Sequence, residues 1–291
     1  MFGQFAPILL ALTSSVLFAV AIQFMNRGLR HTDSETGSLV HIASTTLFYW
    51  LLAPWFVESW YWLTAAAGIF AVVGLFKPVL SANCALLGVR YMGPTPTSTL
   101  ASTAPLFAAA FGVLILGEHL TPPIIAGTVA IMAGCMLLAQ RGGGRRMNWP
   151  LWALSLPLGA ALFRSAGDVL TKIGMVETPS PIFAGLVSYN VSLLLAVAAY
   201  GLRRRTVPKL GRDGGAQWFV LAGVINGVSV LSLNAALQLG EVIVVIPLVA
   251  SSPLVTLLLS LSLFRGEIIT RQSLLAVLLV VPGVILIGWA R

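Results

Sequence analysis

The stretch Leu116-Gly117-Glu118-His119-Leu120-Thr121 recurs in altered form as Arg265-Gly266-Glu267-Ile268-Ile269-Thr270. Each copy fills a short gap between two long apolar runs. Gly134 follows Glu118 by 16 residues, and Gly283 follows Glu267 by 16. Upstream, Ser102-Thr103-Ala104-Pro105-Leu106 pairs with Ser251-Ser252-Pro253-Leu254 after a slip of one residue. Further back, Asn83-Cys84-Ala85-Leu86 pairs with Asn234-Ala235-Ala236-Leu237, and Phe18 and Arg27 pair with Phe163 and Lys172. No single match is specific. Their shared order marks an internal duplication.

The apolar runs place the chain in lipid. Of 291 residues, 58% are hydrophobic and 9% are charged, where a soluble domain carries about 25% charged residues. Runs such as 94–116 and 242–264 reach the roughly 20 residues that cross a hydrocarbon core. Runs and breakers together predict ten spans, near 6–25, 37–57, 62–88, 94–116, 121–139, 150–172, 181–201, 216–238, 242–264 and 270–289. The expected fold class is therefore an all-α membrane protein with ten transmembrane helices in two five-helix repeats. The glycine-rich Arg141-Gly142-Gly143-Gly144-Arg145-Arg146 parts the first repeat, residues 1–141, from the second, residues 149–291. Five is odd, so the second repeat enters the membrane in the opposite sense, an inverted duplication common in secondary transporters. Nothing at the start resembles a cleavable signal peptide, so the first run is expected to remain as the first helix.

The net charge of +8 is concentrated in the gaps. Thirteen of the 17 Lys and Arg residues follow spans one, three, five, seven and nine. That placement describes loops at a lipid surface rather than a nucleic-acid patch. The positive-inside rule puts those five loops in the cytoplasm and both termini outside. Cys84 and Cys135 fall within spans and predict no disulfide.

These motifs resemble the drug/metabolite transporter superfamily in its ten-helix EamA type. The resemblance rests on a doubled pattern: a proline in mid-span, Gly-Glu at the span end, then a closing helix rich in small residues. Here these are Pro105, Gly117-Glu118 and Gly127 to Gly134, and again Pro253, Gly266-Glu267 and Gly283. Asn26-Arg27-Gly28-Leu29-Arg30 is also similar to many members. The resemblance covers nearly the whole chain. It implies a transporter in the cell inner membrane with a cavity between the repeats. Members move amino acids, nucleotide sugars, sugar phosphates and other metabolites, and many bacterial ones are exporters. Many are drawn with both termini in the cytoplasm, the reverse of what the loop charges predict here.

Charges inside spans are costly and mark the first residues to consider. Arg164, Asp168 and Lys172 fall on one face of span six at i, i+4 and i+8. They line a cavity, where Asp168 takes a proton or an amine and Arg164 a carboxylate or phosphate, or else they form a self-neutralising ladder. Lys77 is mid-span, precedes the helix-breaking Pro78, and needs Asp168, a carbonyl, water or solute as partner. Asn83 and Asn234 occupy equivalent repeat positions and suit either a polar solute or helix–helix hydrogen bonds. Glu118 and Glu267 sit at span ends and read as capping or loop-fixing groups. Pro105, Pro247 and Pro253 are expected to interrupt spans four and nine as hinges or cavity walls. Gly127 and Gly134 share one face of span five and suit close helix packing.

The sequence has no phosphate-binding glycine loop, no HExxH and no Asp-rich diphosphate motif, and its three histidines are scattered. It is read as a transporter rather than an enzyme, with no cofactor and no metal. The expected partners are the bilayer and a small solute carrying an anionic or zwitterionic group, with protons as a candidate coupling ion. The alternatives are an intramembrane enzyme acting on lipid or isoprenoid substrates, and a channel.

Overall fold

A computed structural model describes residues 2–140, 150–204, 215–262 and 271–289. Every regular element among the described residues is helical. In lipid, a helix satisfies its own backbone donors and acceptors, so apolar runs of this length settle as helices.

The first repeat contains α1 (Phe2–Gly28), α2 (Ser34–Phe56), α3 (Ala65–Gly74), α4 (Ser81–Met92), α5 (Pro94–Ala101), α6 (Ala104–Leu116) and α7 (Pro122–Ala139). The second contains α8 (Ser155–Glu177), α9 (Pro181–Arg204), α10 (Gly215–Leu239), α11 (Val242–Val249), α12 (Ser252–Ser262) and α13 (Arg271–Trp289). Three spans are composite. α3 and α4 are joined through a widened turn at Leu75–Leu80, where Lys77 leaves helical geometry at φ −125° and ψ 126°. A residue before proline is driven to that extended region. α5 and α6 form one span, and α11 and α12 another. Span six starts and ends about five residues later than expected: a short 3-10 turn occupies Leu151–Leu154, and α8 continues past Lys172 to Glu177. Lys172 looked like a helix end because it is charged, but Glu118 neutralises it.

Nine segments among the described residues are long and apolar enough to cross a bilayer. α8 has the length, 23 residues, without the composition, because it carries Arg164, Asp168, Lys172 and Glu177. It is enclosed instead by α3, α4 and α6.

The repeats interlock rather than sit side by side. α1 packs on α10, and its counterpart α8 packs on α3 and α4, the equivalents of α10. α2 packs on α9, and α7 on α13. The last contact is a symmetric exchange. A Cβ added to Gly127 would lie 2.6 Å from the Gly283 carbonyl oxygen, and one added to Gly134 would lie 3.0 Å from that of Ala276. Such close backbone approach is what small residues contribute where no hydrophobic effect drives helices together.

The helices alternate in direction, which defines two ends. One carries the last residues of α1, α4, α7 and α9 and, among the described residues, most of the Lys and Arg; it is the basic end below. Tyr91 and Trp152 meet there edge to face at 4.9 Å, and Phe24 stacks on Trp218 at 5.6 Å. At the opposite end Trp55, Trp60, Trp62 and Trp289 are exposed. Aromatic belts of this kind mark the two membrane–water interfaces.

Candidate functional site

Spans four and nine break at Ser102–Thr103 and at Ala250–Ser251. The prolines explain where each helix resumes. Pro105 and Pro253 occupy the second position of α6 and of α12, where a missing N–H interrupts no helical bond. Pro247, expected to break span nine, lies inside α11 and does not end it. The ladder resumes behind it, with the Ala250 N–H donating to the Ile246 carbonyl at 2.9 Å. Hydroxyls occupy the carbonyls around the breaks. Ser102 and Thr103 donate to Ser98 and Leu100 at 2.9 and 2.7 Å, and Ser251 donates to Leu248 at 2.6 Å.

Between the two broken spans lies a cavity of about 440 Å³. Phe18 of α1, Met132 and Cys135 of α7, and Leu233 of α10 give it apolar walls. Ser102, Pro105, Pro253 and Thr256 line it from the breaks. Its charged lining residues are Arg164 and Asp168. It reaches Leu138 and Ala139, the last residues of α7, so it extends from mid-bundle toward the basic end.

The three charges of α8 do not form a ladder among themselves; each turns to a different partner. Arg164 is exposed within the cavity, with its guanidinium carbon 5.5 Å from the Phe18 ring centroid. A cation over an aromatic face is held by the ring quadrupole. Among the described residues no carboxylate pairs with Arg164. Asp168 is buried and accepts from the Lys77 ammonium, its sole hydrogen-bond donor among the described residues. Lys172 donates to Glu118 Oε1 at 2.8 Å and to the Gly240 carbonyl at 2.7 Å.

Lys77 reaches Asp168 because of the break at Pro78. Pro78 has no N–H to give the Gly74 carbonyl, and Ser192 of α9 supplies the donor instead, at 2.9 Å. The same hydroxyl lies 3.1 Å from the Lys77 carbonyl. The lysine stem then runs over Gly167, where an added Cβ would stand 3.0 Å from Lys77 Cγ. Sequence reasoning singled out neither Ser192 nor Gly167. Only the position of Gly167 beside Asp168 offered a signal.

Glu118 is built differently. Gly117 closes α6 at φ +68°, a left-handed conformation that suits glycine, and the Glu118 N–H returns to the Gly112 carbonyl at 3.0 Å. This turn sends the carboxylate across to the start of α11. There its oxygens accept from the Val242 and Ile243 N–H groups at 2.8 and 2.9 Å. Gly112 leaves the space, since an added Cβ would lie 2.8 Å from Glu118 Oε2. Glu177 does the same for α3, accepting from Ala65 and Ala66 at 3.3 and 2.8 Å. A carboxylate at a helix N-terminus meets unsatisfied N–H groups and the positive end of the dipole. Glu267, the repeat partner of Glu118, lies outside the described residues.

The cavity lining therefore brings together Arg164, Asp168, Pro105 and Pro253, with Lys77 and Pro78 behind Asp168. It does not include Asn83 or Asn234. Asn83 is exposed and donates to the Val79 carbonyl, in the widened turn just before α4, at 2.9 Å. Asn234 is buried and donates to the Pro181 carbonyl at 3.2 Å, tying α10 to the start of α9.

Comparison with known proteins agrees with this geometry. The pattern of the EamA-like transporter family matches twice, over residues 5–140 and 151–289. A protein of known crystal structure is similar at a TM-score of 0.81 and 17% identity, over 96% of this chain and 95% of its own. At that identity the likeness is one of fold. No curated protein matches.

Proposed function

The chain belongs to the EamA-like transporter family, and from that premise we propose that it is a secondary transporter, an exporter or exchanger of small polar metabolites such as amino acids across a cell inner membrane. The observation that carries this reading is the cavity of about 440 Å³ between two broken spans, with Arg164 exposed inside it. An unpaired cation beside apolar walls suits a solute with an anionic or zwitterionic head and a less polar body. The broken pairs α5–α6 and α11–α12 are the elements that rock to alternate access. The basic loops favour both termini outside, so the basic end, toward which the cavity extends, faces the cytoplasm. Asp168 is the carboxylate available for proton coupling. The chain works as a carrier and not an enzyme, driven by a gradient or by exchange.

Counterflow in proteoliposomes loaded with a panel of amino acids and organic anions tests the reading. At least one solute should exchange, and Arg164→Ala should slow it more than tenfold. A full panel without exchange, or an Arg164→Ala protein as fast as wild type, removes it.

A further inference from the structure

Arg164 and Asp168 are one turn apart on α8, so their Cβ atoms are roughly 6 Å apart. One offers an unpaired cation to the cavity and the other a carboxylate. Lys77 is not part of the cavity lining. It comes to Asp168 from behind, over Gly167, on a stem of four flexible carbons. Its backbone is fixed by Ser192, so the ammonium is the movable part.

We infer that Asp168 is the ammonium subsite for the transported solute and that Lys77 is a built-in stand-in for that ammonium. This rests on the transporter reading above and adds the solute class: a zwitterion whose ammonium and carboxylate lie within one helical turn, with an apolar side chain. In the empty cavity Lys77 holds Asp168. On binding, the solute ammonium takes Asp168, the solute carboxylate meets Arg164, and Lys77 swings away on its flexible stem, its side chain being already 21% exposed. The exchange conserves the charge of the site, since the zwitterion adds none. A simple carboxylate would satisfy Arg164 and leave the Lys77–Asp168 pair in place. Phe18, Met132 and Leu233 supply the surface for the apolar side chain.

The test is binding to the purified full chain in detergent, by calorimetry, with two matched sets. One is leucine, 4-methylpentanoate and 3-methylbutylamine; the other is phenylalanine, 3-phenylpropanoate and phenethylamine. In at least one set the wild-type protein should bind the zwitterion about tenfold more tightly than the carboxylate lacking the amine. Asp168→Asn should erase that preference. Lys77→Gln should tighten the zwitterion several-fold, because the subsite is no longer occupied in the free protein, and leave the carboxylate unchanged. Gly167→Ala, which presses on the lysine stem and removes no charge, should act in the same direction more weakly, and it serves if Lys77→Gln does not fold. Equal weakening of zwitterion and carboxylate in the Lys77 and Gly167 variants overturns the inference. So does a wild-type protein that binds neither zwitterion. Exchange of amine-free carboxylates in proteoliposomes would then leave the transporter reading standing alone.

Discussion

Two lysine–carboxylate pairs join the repeats, Lys77–Asp168 beside the cavity and Lys172–Glu118 at the opposite end. Both lysine side chains are 21% exposed, and both carboxylates are nearly buried. Exposure therefore does not distinguish them; the number of donors does. Glu118 accepts from Lys172, Val242 and Ile243. Asp168 accepts from Lys77 alone among the described residues. A buried carboxylate with several fixed backbone donors is a structural joint, because every donor must be left unpaired to move it. A carboxylate with one flexible donor can change partner. Glu118 and Glu177 cap helices at the end of the bundle opposite to the one the cavity extends toward, and the exchangeable pair lies at the cavity itself.

The largest effect should come from Glu118→Ala. It leaves Lys172 without its carboxylate and strips the cap from α11, at a cost of about 3–5 kcal/mol. Denaturation in detergent should show this, and adding Lys172→Met should recover little, because the Val242 and Ile243 N–H groups remain uncapped. The cavity pair should behave otherwise. Lys77→Met alone should cost about 2 kcal/mol, and adding Asp168→Asn should return stability to within about 1 kcal/mol of wild type, since removing both partners leaves no stranded charge. Recovery in the first double variant, or none in the second, would break the distinction between joint and switch.

Smaller changes sharpen it. Ser192→Ala should cost about 1 kcal/mol by removing the donor to the Gly74 and Lys77 carbonyls. It should also loosen Lys77, seen as faster hydrogen exchange at residues 74–78. Asn234→Ala should cost about 0.6–1 kcal/mol, as expected for one interhelical hydrogen bond. Asn83→Ala, its repeat equivalent, should stay within about 0.5 kcal/mol, because that side chain bonds only locally, within its own span, at the surface. Equal losses at the two asparagines in thermal denaturation would show that their surroundings are more alike than the packing indicates.

Much of this was legible in the chain itself. Long apolar runs, the repeated Gly-Glu and the paired prolines give ten spans and their duplication before any contact is known. The errors fall where a partner far away in sequence overrides a local signal. Lys172 looked like the end of span six, and α8 runs through it because Glu118 neutralises it. Pro247 looked like a break, and the break comes at Ala250–Ser251 because Pro253 opens the next helix. Asn83 and Asn234 looked equivalent by position, but one faces out and the other is enclosed.

Lipid accepts apolar side chains and rejects unpaired backbone, so composition alone makes this chain helical and membrane-spanning. The odd number of spans per repeat makes the halves opposite in direction by counting. Which charge meets which is not local information. Lys77 and Asp168 are 91 residues apart, and Glu118 and Lys172 are 54. Only packing brings them together, and only packing adds Val242 and Ile243 to one carboxylate while leaving the other, among the described residues, with a single flexible partner.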